Sequence, residues 1–435
     1  MALSTQPYKG ARDFYPADKR IQKYMFGIIR SIVEKYGYEE YDAPVLEPTE
    51  LYTSKTSEEI VNEQTYSFVD RGGRNVTIRT EMTPSVSRMV AAKRQELVYP
   101  LRWYSIPNIW RYERPQRGRL REFWQLNVDL FGVEGIAADH EIIQVADAIM
   151  QAFGAKREAY AIKLNSRRFT NFVLNDYLGL NETQAATMIR LIDRMHKLDQ
   201  AEFLAQIDAV FSPSQREQGL TERLLAILKG KGLDDLPAEL QLEPSLQDLN
   251  ELMKLLAAAG IENAEFDPAL MRGFEYYTDI VFEVFDTHPD NNRAMFGGGR
   301  YDGLVGAFGV EPVATVGFGM GDVTLQNFLD LHGLLPVMPP ESEVYVVLIG
   351  DVYARCVPVL KELREMGIHL SVDMTGRKPD KQLKSALKKD QHFALFIGEK
   401  ELDSEQYVLK NLHTGVEEKH GTHRLVSVIK DYRQK

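Results

Sequence analysis

The sequence has 435 residues, 44% of them hydrophobic and 26% charged, which is typical of a globular protein with two or three domains. The formal net charge of −11 argues against a protein that binds nucleic acid through one general basic surface, although local basic patches would still allow docking on a folded RNA. The single cysteine, Cys356, excludes an internal disulfide framework and a multi-cysteine zinc site, and we expect it to be buried on a helix.

The N-terminal segment lacks the apolar core of a signal peptide, and no later apolar run is long enough to span a bilayer, so we expect a cytoplasmic protein with no membrane contact. Apolar residues then recur at helical spacing from Ile21 to Tyr36, and Gly37 ends the pattern, which predicts a helix with a glycine C-cap. The stretch "YEEYDAPVLEP" follows as an alternating strand. Pro44 interrupts it and cannot donate to a ladder, so we predict an edge strand or a special junction.

A hairpin with its tip at residues 70–73 comes next, then a strand that ends at Arg79 and a helix that opens near Pro84. Glu81 and Thr83 therefore lie where a strand gives way to a helix. A glutamate in this position is either an ordinary helix-start residue, favourable to the helix dipole, or an acceptor for a ligand's ammonium group.

An arginine-rich loop separates two apolar runs, "LRWYSIPNIW" and "FWQLNVDLFG", which we predict to be strands. Guanidinium groups at the mouth of a sheet suit a substrate with several phosphate oxygens, because they stay charged and bind such oxygens bidentately. Phe123, just after the loop, offers a ring face for a base. The alternative is an ordinary solvated turn with surplus charge. The loop arginines are Arg111, Arg114, Arg117, Arg119 and Arg121.

The region 165–258 has helical periodicity with little strand pattern, which predicts a helical insertion between two strand-rich blocks. Strands resume over 271–285 and 294–308. A third strand leads into Gly317, Gly319 and Gly321, but these glycines lack the G-x-G-x-x-G spacing, so we predict no dinucleotide site.

A proline-rich linker over 336–342 precedes an alternating strand and helix pattern that predicts a separate α/β domain over 343–435. A basic run surrounds the second helix of this domain, and it is either a solvated face or a nucleic-acid contact. Its members are Arg377, Lys378, Lys381, Lys384, Lys388 and Lys389.

Several of these strings resemble a known family. "RYERPQRGR" followed by Phe123 resembles motif 2 of the class II aminoacyl-tRNA synthetases, the first helix and the proline-bearing strand resemble motif 1, and "RTEMT" resembles the amino-acid-binding loop. "RGFEYY" and "FGGGRYDGL" resemble two signatures peculiar to histidyl-tRNA synthetases. The last domain resembles the anticodon-binding domain shared by the histidyl, threonyl, prolyl and glycyl enzymes.

The resemblance implies an α+β fold: a class II catalytic domain over 1–335, with an antiparallel sheet flanked by helices and the insertion at 165–258, then the anticodon-binding domain. It also implies an enzyme that activates histidine with ATP and Mg²⁺ to histidyl-adenylate and transfers it to the 3′ end of tRNA(His). A homodimer is implied through motif 1. No metal-ligand residues are expected, because the nine histidines form no H-E-x-x-H or comparable pair.

The resemblance also implies which residues bind histidine. Glu81, Thr83 and Gln125 would hold the α-amino group, and the remaining members would line the imidazole or the reacting carboxylate. The full predicted set is Glu81, Thr83, Gln125, Asp129, Arg272, Tyr276, Tyr277 and Tyr301. For ATP, Arg111 would clamp the α-phosphate, Glu113 and Phe123 would receive the adenine, and Arg119 would reach the outer phosphates. Arg111 and Arg272 would be the catalytic residues.

Two positions depart from the family pattern. Asp129 stands where the best-known members carry a glutamate, and Thr324 stands where the third class II motif is expected to carry an arginine. A rival interpretation is a histidine-sensing regulatory paralogue of ATP phosphoribosyltransferase, which Arg272 and the C-terminal domain disfavour. Another rival, a class II synthetase for a different amino acid, would not carry "RGFEYY" and "GGGRYDGL".

Overall fold

A computed structural model describes residues 3–53, 64–195, 198–230, 232–271, 276–291 and 293–433. The chain divides into two compact units, one formed by Met1–Asp13 with Gln22–Leu335 and the other by Phe14–Ile21 with Pro336–Lys435. Within the described ranges, no helix combines the length and the apolar character needed to cross a membrane.

The regular elements of the described residues are numbered in chain order. The strands are β1 Glu39–Glu40, β2 Leu46–Pro48, β3 Tyr66–Val69, β4 Asn75–Ile78, β5 Leu101–Ser105, β6 Asn108–Trp110, β7 Glu122–Phe131, β8 Tyr160–Ser166, β9 Ala264–Phe266, β10 Ile280–Asp286, β11 Ala294–Arg300, β12 Thr315–Gly321, β13 Val344–Ile349, β14 Leu370–Val372, β15 Phe393–Gly398, β16 Tyr407–Asn411 and β17 Glu417–His420. The α-helices are α1 Pro16–Val33, α2 Glu50–Thr53, α3 Thr83–Ala92, α4 Ile136–Ala152, α5 Arg167–Asn171, α6 Glu182–Asp193, α7 Gln200–Val210, α8 Pro213–Glu217, α9 Leu220–Leu228, α10 Pro244–Ala258, α11 Asp322–Leu331, α12 Tyr353–Glu365, α13 Pro379–Lys388, α14 Glu399–Ser404 and α15 Thr422–Arg433.

The first predicted helix is present as α1, followed by a short 3₁₀ turn. Gly37 ends it in the left-handed region with φ 81°, and its N–H donates to the Glu34 carbonyl at 3.0 Å. The strand predicted next is interrupted around Pro44, as expected, and the chain there forms two short strands that lie at the edges of different sheets. β1 pairs in parallel with β5, whereas β2 pairs antiparallel with β4 in a separate sheet of order β2-β4-β3.

The main sheet of the first unit has the order β1-β5-β7-β12-β11-β10-β8-β9, and β6 pairs with the first part of β7. The neighbours are antiparallel except at the two ends, where β1 pairs with β5 and β8 with β9 in parallel. Helices α4 and α11 pack against β7 and β12. This arrangement confirms the predicted α+β fold with a mainly antiparallel sheet flanked by helices.

Strand β10 is shorter than the sequence pattern predicts. It begins at Ile280, so Tyr276 and Tyr277 lie in the turn before it and not on a strand. The turn brings the buried ring of Tyr277 into a cluster with Leu270 and Tyr301, and this packing replaces continued pairing in the sheet. Arg272 lies outside the described residues.

The second unit contains a five-stranded sheet of order β14-β13-β15-β16-β17, parallel at β14-β13-β15 and antiparallel beyond. Alternate residues of β13 face opposite sides. Val344 and Val346 pack in one cluster with residues of α12 and α15, while Tyr345 and Val347 pack in another that includes Ala386 of α13. The predicted α/β pattern is therefore present. Cys356 is buried on α12, as predicted.

Candidate active site

Strand β7 divides its side chains between a core and a cavity. Leu126 and Val128 are buried on one side, whereas Gln125 and Asp129, two and six residues after Phe123, line a cavity of about 450 Å³. Period-two alternation along a strand produces this division. The cavity therefore lies on one face of the main sheet, with β7 and β12 crossing its floor.

The structure brings the predicted residues together around this cavity, with one exception. Arg272 belongs to residues 272–275, which lie outside the described part, so its placement stays a prediction. The others that line the cavity are Glu81, Thr83, Arg111, Glu113, Arg119, Phe123, Gln125, Asp129, Tyr276, Tyr277 and Tyr301. Their individual roles also stay predictions.

Asp129 and Tyr301 form a buried pair at one end of the cavity. The Tyr301 hydroxyl donates to Asp129 Oδ1, while Oδ2 is buried and accepts no hydrogen bond from the described residues. Burial raises the pKa of Asp129 to about 7, against the opposing effect of the Tyr301 hydrogen bond. Burial and the nearby carboxylate also raise the pKa of Tyr301, which keeps its hydroxyl protonated. This end of the cavity thus presents a carboxylate oxygen that a ligand N–H can satisfy.

Glu81 lies between β4 and α3, as the sequence predicted. It precedes the N-cap residue Met82, and its side chain is only 3% exposed. Its Oε2 accepts a hydrogen bond of 3.1 Å from the hydroxyl of Tyr276. The carboxylate therefore faces the cavity together with a tyrosine, which favours the ligand-acceptor hypothesis over a simple solvated helix-start residue.

Two glycines of β12 make room for the cavity's polar side chains. Gly317 is paired with Asp129 and Gly319 with Asn127. A Cβ atom on Gly317 would lie 2.3 Å from Asp129 Oδ1 and 2.6 Å from the Val128 carbonyl oxygen, and one on Gly319 would lie 2.3 Å from Gln125 Nε2. Because Gly317 and Gly319 have no side chains, β12 leaves room for the Asp129 carboxylate and the Gln125 amide of β7.

We expect Gly317→Ala to disable the Asp129 end of the cavity. The added methyl group meets a backbone carbonyl as well as the carboxylate, so the strands must shift, at a cost of about 1 to 3 kcal/mol of unfolding free energy. If this end binds histidine, as the resemblance implies, KM for histidine should rise about tenfold or more in pyrophosphate exchange, and the melting temperature should fall. Gly27→Ala is the matched control, because no atom lies within 4 Å of its Cβ position. A Gly317→Ala variant with normal histidine KM would contradict this role.

The arginine-rich loop is a hairpin between β6 and β7, and it supplies the other end of the cavity. Arg111 Nε donates to the Thr80 carbonyl at 2.9 Å, and its guanidinium lies 5.5 Å from the Phe123 ring centroid. The Glu113 carboxylate lies between two cations, 3.9 Å from Arg111 Nη1 and 3.6 Å from Arg119 Nη1. Two guanidinium groups, one carboxylate and one ring therefore meet at this end.

Arg121 differs from Arg111 and Arg119, because its side chain packs against other parts of the protein and does not line the cavity. Its guanidinium lies 3.9 Å from the Tyr112 ring centroid, and Nε donates to the Glu113 carbonyl at 3.1 Å. The grouping of Arg121 with phosphate-binding arginines is not supported by this geometry. Stacking of a guanidinium on an aromatic ring is a common structural contact.

The N-terminal segment braces this hairpin, which the sequence pattern did not predict. The Gly10 carbonyl accepts hydrogen bonds from the N–H groups of Arg121 and Glu122, at 2.8 and 3.2 Å. Arg12 Nη2 lies 2.7 Å from Asp322 Oδ2, and Asp322 Oδ1 accepts from the Trp124 N–H at 3.0 Å. Both contacts join distant parts of the chain, so no local signal could have predicted them.

Asn127 also lines the cavity and was missed, although the alternation of β7 places it on the same face as Gln125 and Asp129. Its Oδ1 accepts from Gln125 Nε2 at 2.8 Å, and its Nδ2 donates to the Gln125 carbonyl at 3.1 Å. This exchange orients the Gln125 amide. Asn127 therefore serves to position its neighbour on the strand.

Thr324, on α11, lies at the cavity edge. Its hydroxyl donates to the carbonyls of Met295 and Gly321, at 2.8 and 3.1 Å. The side chain is short and neutral, so it adds no charge to the hairpin end.

Comparison with known proteins identifies relatives over nearly the whole chain. The model of the histidyl-tRNA synthetase family matches residues 10–322, and that of the anticodon binding domain matches residues 343–432. The curated histidine–tRNA ligase of Leptospira biflexa serovar Patoc is 42% identical over 412 residues, covering 94% of each chain. That of Thermoplasma volcanium is 36% identical over 417 residues, covering 96% of each.

The fold agrees with these sequence matches. The crystal structure of histidyl-tRNA synthetase from Nostoc sp. PCC 7120 superposes with a TM-score of 0.82 at 22% identity, covering 99% of this chain and 100% of that one. A family match over most of the chain and close relatives over nearly all of it lead to one assignment. This chain belongs to the histidyl-tRNA synthetase family.

Proposed function

We propose that the cavity between the arginine hairpin and the Asp129–Tyr301 pair is where histidine and ATP react. The chain is an aminoacyl-tRNA synthetase, and its activity is histidine–tRNA ligation. The observation that carries the site assignment is a single cavity with a buried, unsatisfied carboxylate oxygen at one end and two guanidinium groups at the other.

Histidine fits the Asp129 end by its chemistry. Asp129 Oδ2 would accept an imidazole N–H, while the rings of Tyr276, Tyr277 and Tyr301 enclose a flat side chain. The ring centroids of Tyr276 and Tyr277 are 4.9 Å apart, and those of Tyr276 and Tyr301 are 5.7 Å apart. Glu81, bonded to Tyr276, would accept the α-ammonium group, with Thr83 and Gln125 beside it.

ATP fits the hairpin end. Arg111 would contact the α-phosphate, Arg119 the outer phosphates, and Phe123 with Glu113 the adenine. A histidine carboxylate oxygen then attacks the α-phosphorus, and the bond to the leaving pyrophosphate breaks. Because this step brings two anions together, positioned cations provide most of the acceleration by charge neutralisation and alignment. We place Arg272 over the carboxylate and the α-phosphate on the resemblance alone.

In the second half-reaction, the terminal hydroxyl of tRNA attacks the activated carbonyl and AMP leaves. No side-chain nucleophile is needed in either step, because the carboxylate and the hydroxyl belong to the substrates. The protein's own contribution is to align them and to stabilise charge.

Mg²⁺ would enter with ATP. No group of three or more His, Cys, Asp or Glu side chains in the described part of the chain could hold a metal ion on its own. Mg²⁺ commonly binds mainly through phosphate oxygens and water, with one or two protein carboxylates. When bound, the ion would neutralise charge on the phosphates.

Histidine-dependent exchange of pyrophosphate into ATP tests the proposal in the full-length protein with Mg²⁺. We expect exchange with histidine and none with other amino acids, because a site that hydrogen-bonds a polar side chain rejects analogues lacking it by roughly 10⁴ to 10⁵. Absence of exchange with histidine would refute the proposal. The same result would favour the regulatory-paralogue alternative, which the curated relatives and the C-terminal match support less.

The second unit provides a basic face that we propose contacts tRNA. Lys381, Lys384 and Lys388 are exposed at spacings of three and four residues along α13, so they lie on one side of the helix. Two other members of the basic run are already engaged. Arg377 Nη2 lies 3.0 Å from Asp373 Oδ2, and Lys389 Nζ lies 5.2 Å from the Tyr345 ring centroid.

We expect the triple substitution of Lys381, Lys384 and Lys388 by alanine to raise KM for tRNA about tenfold and to weaken its salt dependence, since phosphate contacts release counterions. Pyrophosphate exchange without tRNA should be unchanged. If tRNA charging keeps its KM and salt dependence, this face is only solvated.

We also propose a homodimer, which rests on the resemblance of α1 and the strands after it to motif 1. Apolar side chains exposed near the small sheet β2-β4-β3 support it, because a partner subunit would cover them. Val69 is 63% exposed and Phe68 is 48% exposed. A solution mass of one chain would contradict the dimer.

A cytoplasmic location is proposed from the activity alone, since tRNA charging serves translation.

A further inference from the structure

The nucleotide end of the cavity is short of positive charge. Arg111 and Arg119 both lie within 4 Å of the Glu113 carboxylate, which offsets part of their charge. Arg121 is stacked on Tyr112, and Arg12 is paired with Asp322. At the cavity edge formed by α11, Thr324 contributes a neutral hydroxyl, which donates its hydrogen bond to the Met295 carbonyl.

Arg293 approaches the same edge of the cavity from the start of β11. Arg293 directly precedes β11, and Ala294 and Met295, the next two residues, line the cavity. Arg293 Nη1 and Thr324 Cγ2 both lie within 3.5 Å of the position that a Cβ atom on Gly118 would occupy. Gly118, at the tip of the hairpin, is itself a cavity residue with φ +79°.

Arg293 is held by an interaction that an anionic ligand can replace. Its Nη1 donates to the Arg117 carbonyl at 2.8 Å, its side chain is exposed, and it makes no ion pair with a described carboxylate. A guanidinium held by one neutral carbonyl keeps its full charge and several donors for an anionic ligand. The Gly118 position, without a side chain, leaves the space between Arg293 and Thr324 open.

We propose that Arg293 supplies to bound ATP the cation that Thr324 does not provide. The guanidinium contacts the nucleotide at the Thr324 edge of the cavity, beside Phe123, whose Cδ2 lies 3.9 Å from the Cβ position of Gly321. The inference rests on the proposed function, because it takes ATP to be the ligand of this end. It assigns an ATP-binding residue to the segment just before β11, a strand whose glycines otherwise serve the sheet and the histidine end.

A purely structural role would also explain the geometry, since Arg293 fastens the hairpin tip. Arg117 Nη1 in turn donates to the Asp290 carbonyl at 3.2 Å, so the tip is held at two points. The ATP-binding role and the structural role differ in which substitution restores ATP affinity. An arginine at position 324 would return a cation to the same edge without remaking the bond from position 293 to the hairpin.

The test compares Arg293→Ala, Arg293→Lys and the double variant Arg293→Ala/Thr324→Arg in full-length protein. Histidine-dependent pyrophosphate exchange is measured with each substrate varied. For Arg293→Ala we expect KM for ATP to rise about tenfold or more while KM for histidine stays within about twofold. Lysine should rescue partly, and the double variant should recover most of the ATP affinity.

Arg216→Ala is the matched control. Arg216 is also exposed and also donates to a backbone carbonyl, that of Asp208, but it lies on α8, which contributes no residue to the cavity. It should leave both KM values unchanged. Thermal melting establishes that each variant is folded, and direct ATP binding to Arg293→Ala provides a readout if the double variant fails to fold.

Several results would overturn the inference: a KM for ATP within twofold of wild type in Arg293→Ala, equal loss for both substrates, or a folded double variant without recovery. Each of these would leave Arg293 as a fastener of the hairpin. Failure of the proposed function is distinguishable, because wild-type protein would then show no histidine-dependent exchange at all.

Discussion

Asp129→Asn is expected to raise KM for histidine by about 10- to 100-fold while KM for ATP changes little. The buried carboxylate offers Oδ2 as an acceptor for the imidazole N–H, and a hydrogen bond to a charged group is worth about 1.5 to 3 kcal/mol. An asparagine keeps the size but loses the charge, and its amide can present a donor where an acceptor is required. Pyrophosphate exchange with histidine varied measures the effect.

The pH dependence of this site provides a second measurement. The pKa of Asp129 is raised to about 7, so the carboxylate is mostly protonated at pH 6 and mostly ionised at pH 8. In wild type, kcat/KM for histidine should therefore rise through pH 7. The Asp129→Asn variant should retain only the titration of the substrate's own imidazole. Identical profiles in the two proteins would contradict the assignment.

The free energy of unfolding should fall with rising pH, whereas kcat/KM for histidine rises. A carboxyl group with a raised folded-state pKa stabilises the protein below its unfolded pKa, and this contribution is lost as pH rises through the folded value. The ionised Asp129 thus costs on the order of 4 kcal/mol above pH 7, because its pKa moves from 3.8 to about 7. Asp129→Asn should raise the melting temperature at pH 8 and have little effect at pH 4.

Asp147→Asn is the control for a general effect of removing a buried carboxylate. Asp147 is also buried and also bonded to a tyrosine, with 2.5 Å between Tyr160 Oη and Asp147 Oδ1, but it lies outside the cavity. This variant should alter stability without changing KM for histidine. A similar rise in KM in both variants would mean that Asp129 acts through the fold and not on the substrate.

Strand alternation explains how much of this site could be predicted. The apolar and polar positions of β7 alternate in the sequence, so Gln125 and Asp129 could be placed on one face without coordinates. The same rule predicts Asn127, which was overlooked because it carried no family signature. Glu81 and Thr83 were placed correctly because the change from a strand to a helix is a local signal.

The remaining features depend on contacts between distant parts of the chain. The role of Gly317 follows only from its pairing with Asp129, and a pairing register between strands so far apart in sequence has no local signature. The carbonyl of Gly10 fastens the hairpin at Arg121, which is equally remote in sequence. The edge position of the strand around Pro44 was predicted, but the division of its two halves between different sheets was not, for the same reason.

Arg111→Ala is expected to remove about 2 to 4 kcal/mol of transition-state stabilisation, a roughly 30- to 1,000-fold loss in kcat/KM for adenylate formation. Arg111 is held in place before substrate arrives, because its Nε donates to the Thr80 carbonyl at 2.9 Å and its guanidinium lies against the Phe123 ring. A preorganised cation at the α-phosphate acts on charge that develops during the attack, so kcat should fall more than ATP binding weakens.

Arg111→Lys separates charge from geometry. A lysine keeps the positive charge but cannot reproduce the planar fork, so it should recover only part of the loss. Arg74→Ala is the control, because Arg74 is an exposed arginine paired with Asp70 at the tip of another hairpin. Single-turnover adenylate formation at saturating ATP measures the chemical step directly. If Arg111→Ala forms adenylate at the wild-type rate once ATP saturates, Arg111 binds the nucleotide without stabilising the transition state, and the charge must come from elsewhere around the hairpin.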